Sequence, residues 1–144
     1  MIKVAALDVY GTILAVDDET SSYPPRAGLE DFLDSCEKKG IIAVTSSDAD
    51  IIEMREELKS VFSYNPLRRL SIDRFKKHFR LEGAKDFSEV YGFYDIIPSE
   101  LLVIGDSPKD ANAIIHGCKF IQCPMYTRGI DDSWNFKLIP LENY

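Results

Sequence analysis

The chain has 144 residues, the size of one ordinary domain, and is long enough to bury a core without disulfides or structural metals. Hydrophobic residues make up 45% and charged residues 28%, the profile of a soluble globular protein. Against 17 Lys and Arg stand 24 Asp and Glu, a net charge of −7, which speaks against nucleic acid as the main partner.

Ile2 to Leu7 is a short apolar run and predicts a buried strand. Lys3 interrupts it and Asp8 ends it, so it is too short for a signal peptide or a membrane span. A Gly-containing loop runs from Gly11 to Pro25. Leu29, Phe32, Leu33 and Cys36 then recur at helical spacing, and Gly40 supplies a stop. Ile41 to Thr45 is a second strand, and Asp48 is placed to cap the helix carrying Ile51, Met54, Leu58 and Val61. Phe62 to Tyr64 reads as a short strand before an Asn65-Pro66 turn. Ile72, Phe75 and Phe79 predict another helix with Gly83 beyond its end, and Phe87, Val90, Tyr91 and Tyr94 a further one. Leu101 to Ile104 is the third clear strand, Ala111, Ile114, Ile115 and Cys118 mark the next helix, and Lys119 to Gln122 is a fourth strand. The tail from Pro124 to Tyr144 is mixed.

Strands separated by helices imply a parallel sheet with helices on both faces, a three-layer α/β/α Rossmann-like domain spanning residues 1–144. In such folds ligands sit beyond the carboxyl ends of the strands. The residues there are Asp8, then Thr45-Ser46-Ser47, then Gly105-Asp106 with Asp110 beyond. Carboxylates gathered at one sheet edge repel one another unless a hard divalent cation neutralises them, and Mg²⁺ is the usual choice for oxygen ligands. A hydroxyl and an ammonium nearby would hold an anionic substrate. Lys85 is the candidate ammonium, with Lys76 and Lys77 as competitors.

The run Leu7-Asp8-Val9-Tyr10-Gly11-Thr12 resembles the first motif of the haloacid dehalogenase (HAD) superfamily, a strand followed by D-x-D-G-T. Thr45 is similar to its second motif and Lys85 to its third, while Gly105-Asp106 to Asp110 matches its fourth, G-D-x-x-x-D. The resemblance covers the chain as far as Cys123. It implies a sheet with the first strand central and Asp8 as a nucleophile that forms an aspartyl-phosphate. It also implies Mg²⁺ held by Asp8, the Tyr10 carbonyl and Asp106, with Asp110 in support. Thr45 would bond a phosphoryl oxygen, with the Ser46 N–H assisting. Lys85 would pair with nucleophile and phosphate. Gly11 and Thr12 would bind the substrate.

The implied activity is a Mg²⁺-dependent phosphohydrolase acting on a phosphorylated substrate. One departure stands out. Phosphatases of the family carry a second aspartate, the acid/base, where this chain has Tyr10. That substitution leaves open a degenerate phosphate- or protein-binding module. The D-x-Y-G-T form also resembles the 2-haloacid dehalogenase branch. Those enzymes enclose their substrate under a cap, and too few residues separate Asp8 from Thr45, or Thr45 from Lys85, to form one.

The remaining features read structurally. Cys36, Cys118 and Cys123 form no C-x-x-C pair, so a reducing, cytoplasmic setting without a zinc site is expected. His78 and His116 fall on helical patterns, away from the strand ends. Arg68, Arg69, Arg74, Lys76, Lys77 and Arg80 read as a solvated basic face. Tyr23, Tyr126 and Trp134 belong to a core edge or to a homo-oligomer interface.

Overall fold

The computed structural model describes residues 1–65, 69–129 and 133–144. Pro66 of the expected turn and Arg68 of the basic face lie outside the described residues. In chain order the elements are β1 (Val4–Leu7), α1 (Leu29–Lys39), β2 (Ile42–Ser47), α2 (Ile51–Ser63), β3 (His78–Arg80), α3 (Ser88–Phe93), β4 (Leu101–Gly105), α4 (Asn112–Ile115) and β5 (Lys119–Gln122). The strands form one five-stranded sheet in the order β3-β2-β1-β4-β5, and all four pairings are parallel.

A parallel sheet must be covered on both faces, so its central strands are apolar throughout. Every residue of β1 and of β4 is buried. On one face Ala5 and Leu7 join Leu29, Phe32 and Leu33 of α1, Met54 and Leu58 of α2, and Phe136 and Ile139 of the tail. On the other, Val4 and Ala6 join Val103, Phe87, Val90 and Ala113. Gly40 ends α1 with φ 69°, where a side chain would be strained, and its N–H reaches the carbonyls of Cys36 and Glu37.

Four expectations are corrected. Phe62 to Tyr64 closes α2 and is not a strand. The helix expected over Ile72 to Phe79 is a single 3₁₀ turn, Ile72–Arg74, followed by edge strand β3. Asp50, not Asp48, caps α2, accepting the N–H groups of Ile52 and Glu53. In α4 the buried residue is Ala113, while Ile114 and Ile115 are exposed. That helix is one turn long, too short for a repeating apolar stripe to define its inner face.

The basic face is ion-paired: Arg69 and Arg74 both reach Asp34, and Arg74 also reaches Glu37. Residues 8–28 hold turns and loops, and α2 with the 3₁₀ turn occupies the β2–β3 connection, so neither segment carries a separate folded unit among the described residues. No helix of the described residues is long and apolar enough to cross a membrane.

Candidate active site

β1 lies between β2 and β4, so their parallel ends bring Asp8, Ser46-Ser47 and Asp106 to one edge of the sheet. There, oxygens of Asp8, Asp106 and Asp110 lie within 4.8 Å of one another. The Lys85 Nζ donates to Asp8 Oδ1 at 3.0 Å, to the Ser46 carbonyl at 2.9 Å and to Asp110 Oδ1. The structure thus brings Lys85, and neither Lys76 nor Lys77, to this cluster. Lys85 is held in turn by its own backbone: its N–H donates to the Lys109 carbonyl and its carbonyl accepts the Asn112 side-chain amide at 2.7 Å.

Glycines make the close approach possible. A Cβ on Gly11, where φ is +84°, would collide with the Asp106 carboxylate, and one on Gly105 would collide with that of Asp110. Thr12 donates its hydroxyl to Asp106 Oδ1 at 3.1 Å. The Ser107 N–H donates to Asp110 Oδ2 at 3.3 Å. Arg26 is fully buried beneath this loop. It donates to the Gly11 carbonyl and lies over the rings of Trp134 (4.6 Å) and Tyr126 (5.3 Å).

Among the described residues the cluster is short of positive charge. One ammonium faces the buried carboxylates of Asp8 and Asp110, with Asp106 a third. Burial pushes the Asp8 carboxyl up to about 8, Lys85 opposes that shift, and Asp110 and the hydrogen bond to Asp106 add to it. Burial disfavours charge on Lys85, but Asp8 and Asp110 outweigh it and its pKa is raised. All donors of the cluster are carboxylate oxygens, the set that suits a hard divalent cation.

Thr45 and Ser46 divide their roles by strand alternation. Thr45 shares the register and face of Leu7 and His78, and its hydroxyl lies 2.6 Å from His78 Nδ1. His78 therefore sits on a strand, in contact with a β2 residue, where the sequence placed it on a helix. Ser46 points the other way, is fully buried, and its hydroxyl has no hydrogen-bond partner among the described residues. An orphaned buried hydroxyl at this edge is a site for a missing acceptor or donor.

Burial lowers the pKa of His78, and Arg55 adds to the effect. The native state then takes up this proton at lower pH than the unfolded chain, whose histidine titrates near about 6.5. Stability from the neutral ring is full above that value and falls as pH drops through the native pKa. We expect the melting temperature of the wild type to fall more steeply than that of His78→Gln between pH 7 and pH 5. Parallel curves would remove the neutral ring from the account.

Tyr10 lines the cavity, and its hydroxyl lies near Glu57 of α2. Burial first, and then the charges of Glu57 and Glu53, raise its pKa well above the ordinary phenol range. Asn112, Ser107 and Arg26 were not singled out from the sequence. Ser107 had a local signal, a serine three residues before a carboxylate in a turn. Arg26 had none, because its partners are distant in sequence.

No family model matches the chain, and no curated protein matches it. Solved structures do match. The N-terminal part of BF1531 from Bacteroides fragilis, described as containing a phosphatase domain complexed with Mg, is 18% identical with a TM-score of 0.65. It covers 86% of this chain, which spans 36% of that one. The HAD family enzyme BT-2542 from Bacteroides thetaiotaomicron, complexed with magnesium and inorganic phosphate, is 14% identical over 92% of this chain and 98% of its own, with a TM-score of 0.69. A mutant of CbbY from Rhodobacter sphaeroides, in complex with xylulose-(1,5)-bisphosphate, is 13% identical over 97% of each chain, with a TM-score of 0.63. At such identities the likeness lies in backbone architecture: the chain has the fold of the HAD superfamily hydrolases.

Proposed function

We propose that the protein is a Mg²⁺-dependent phosphohydrolase that works through an aspartyl-phosphate at Asp8. The observation that carries the reading is the buried Lys85 bridging Asp8 and Asp110 beside Asp106, with less positive charge than the carboxylates demand. Structural neighbours described with magnesium and phosphate support it.

Asp8, Asp106 and the Tyr10 carbonyl would hold the ion, with Asp110 in support. When bound, Mg²⁺ supplies positive charge against the nucleophile and the transferring phosphoryl group. The Asp8 carboxylate attacks phosphorus in line, and Lys85 holds that carboxylate in place. The Ser46 hydroxyl, which has no hydrogen-bond partner among the described residues, would meet a phosphoryl oxygen, next to Thr45, whose hydroxyl contacts His78. Water then releases phosphate and restores Asp8.

A second reading has its own observation. With a tyrosine at position 10, no carboxyl group stands at the acid/base position, which favours a phosphate-binding module with little turnover. Phosphate release from acetyl phosphate separates the two. We expect release with Mg²⁺, loss of it in EDTA, and a phosphoenzyme that hydroxylamine cleaves. Phosphate release at the buffer rate in both conditions would leave the binding module standing.

A further inference from the structure

The rim of the cavity carries chemistry that the phosphoryl site does not use. The cavity has a volume of about 440 Å³, with Asp8, Asp106 and Lys85 among its lining residues. The lining also includes Val16, Met125, Pro108 and Tyr10. Val16 and Met125 are 45% and 58% exposed, large apolar side chains left open to water. They do not stand there independently. The Val16 N–H donates to the Tyr126 carbonyl at 3.1 Å, and the Tyr126 N–H to the Gly11 carbonyl at 2.8 Å. The segment bearing Met125 is thereby laced to the nucleophile loop. The charged groups of the rim, Asp48 and Lys109, answer each other at 3.0 Å. Ser47 and Ser107 also line the cavity, the first accepting the Ala49 N–H and the second donating to Asp110 Oδ2, so a sugar or nucleoside leaving group would find few free polar partners here, whereas an apolar one finds a wall.

The geometry points to an aryl phosphate as the substrate, its ring seated against Val16, Met125 and the Tyr10 ring while its phosphoryl group faces Asp8. The inference rests on the phosphohydrolase reading and names its substrate class. Two observations converge on it. An apolar rim selects an apolar group, and position 10 is a tyrosine, so no carboxyl acid there protonates the departing oxygen. A phenol, with a pKa of about 10 like tyrosine, leaves as its anion far more readily than an alkanol, whose pKa resembles the roughly 15.7 of water.

The step balances without an acid. A bond forms from an Asp8 carboxylate oxygen to phosphorus as the bond from phosphorus to the aryl oxygen breaks. The aryl oxygen departs with the bonding pair and takes a proton from water. Water then adds to phosphorus, the electron pair of the bond to Asp8 returns to the carboxylate, and the surplus proton passes to solvent. The products are one phenol and one phosphate.

The test compares phenyl, cyclohexyl and acetyl phosphate on wild type and on the double variant Val16→Ser/Met125→Ser, with melting temperature as the check on folding. Wild type is expected to turn over phenyl phosphate at least about 100-fold faster than cyclohexyl phosphate, which has similar apolar bulk but an alkoxide leaving group. Cyclohexyl phosphate should bind as a competitive inhibitor. In the double variant KM for phenyl phosphate should rise roughly tenfold with kcat unchanged, while acetyl phosphate, which has no ring, is unaffected. Faster turnover of a phosphotyrosine peptide than of phenyl phosphate assigns the ring to a protein side chain, and the reverse to a small molecule. Either order supports the ring site. If acetyl phosphate is hydrolysed but phenyl phosphate is not, or its KM ignores the double variant, the ring site fails and the phosphohydrolase reading survives. If none of the three is hydrolysed, both fail.

Discussion

Asp8→Asn is expected to reduce phosphate release from acetyl phosphate by between about 10³ and 10⁶-fold, the range over which loss of a covalent nucleophile leaves only binding and charge stabilisation. The asparagine keeps the shape of the side chain but cannot carry the phosphoryl group as an anhydride. The hydroxylamine-labile phosphoenzyme should vanish with it. Folding gives an independent readout. Asp8 is 8% exposed, and its charge is opposed by burial and by Asp110. A neutral amide there relieves that cost, and Lys85 still pairs with Asp110. The variant should therefore melt no lower than wild type in EDTA, so that inactivity cannot be blamed on unfolding. Equal rates of phosphate release for the two proteins would sink the assignment of Asp8 as nucleophile.

Much of this site could be read before the fold was seen, for a physical reason. Buried parallel strands must be apolar on both faces, so Val4–Leu7 and Leu101–Gly105 stand out as continuous runs, and Asp8 and Asp106 are simply the polar residues that follow them. Lys85 was legible only as one of three lysines. What selects it is the fold, through the Asn112 amide and the Lys109 carbonyl on the far side of β4. β3 was hidden because it is a three-residue edge strand with one buried residue, Phe79. The spacing of Phe79 from Ile72 and Phe75 imitates a helix turn for turn. The misplaced strand carried His78 with it.

The second strand shows a finer limit. Thr45, Ser46 and Ser47 are chemically alike in sequence, and which hydroxyl faces the site depends on the phase of a two-residue repeat. That phase is set by pairing: Leu7 with Thr45 on one side and Thr45 with His78 on the other. With β3 read as a helix, there was no partner strand to fix it. That the buried hydroxyl of Ser46 has no hydrogen-bond partner among the described residues is a property of the assembled sheet alone.

Tyr10→Asp, combined with Glu57→Gln, is expected to raise kcat for acetyl phosphate by about 10² to 10⁴-fold, the usual contribution of a positioned general acid or base. On the proposed mechanism, nothing at position 10 of the wild-type protein would activate the water that cleaves the aspartyl-phosphate, because that position is a tyrosine and not a carboxylate. The second chemical step should then limit turnover, and phosphoenzyme should accumulate as an initial burst. An aspartate at position 10 puts a base near the cavity that Tyr10 now lines. The burst should shrink as the steady rate climbs. The companion change at Glu57 matters, since a new carboxylate would otherwise face the negative charges of Glu57 and Glu53 that now surround the Tyr10 hydroxyl. Removing the ring also takes away a side chain packed against the core cluster, so some loss of melting temperature should accompany the gain in rate. A burst that persists at unchanged kcat in a folded variant would mean that position 10 does not control the hydrolytic step. The rate of that step would then have to be set by how the other groups of the site hold the phosphoryl group.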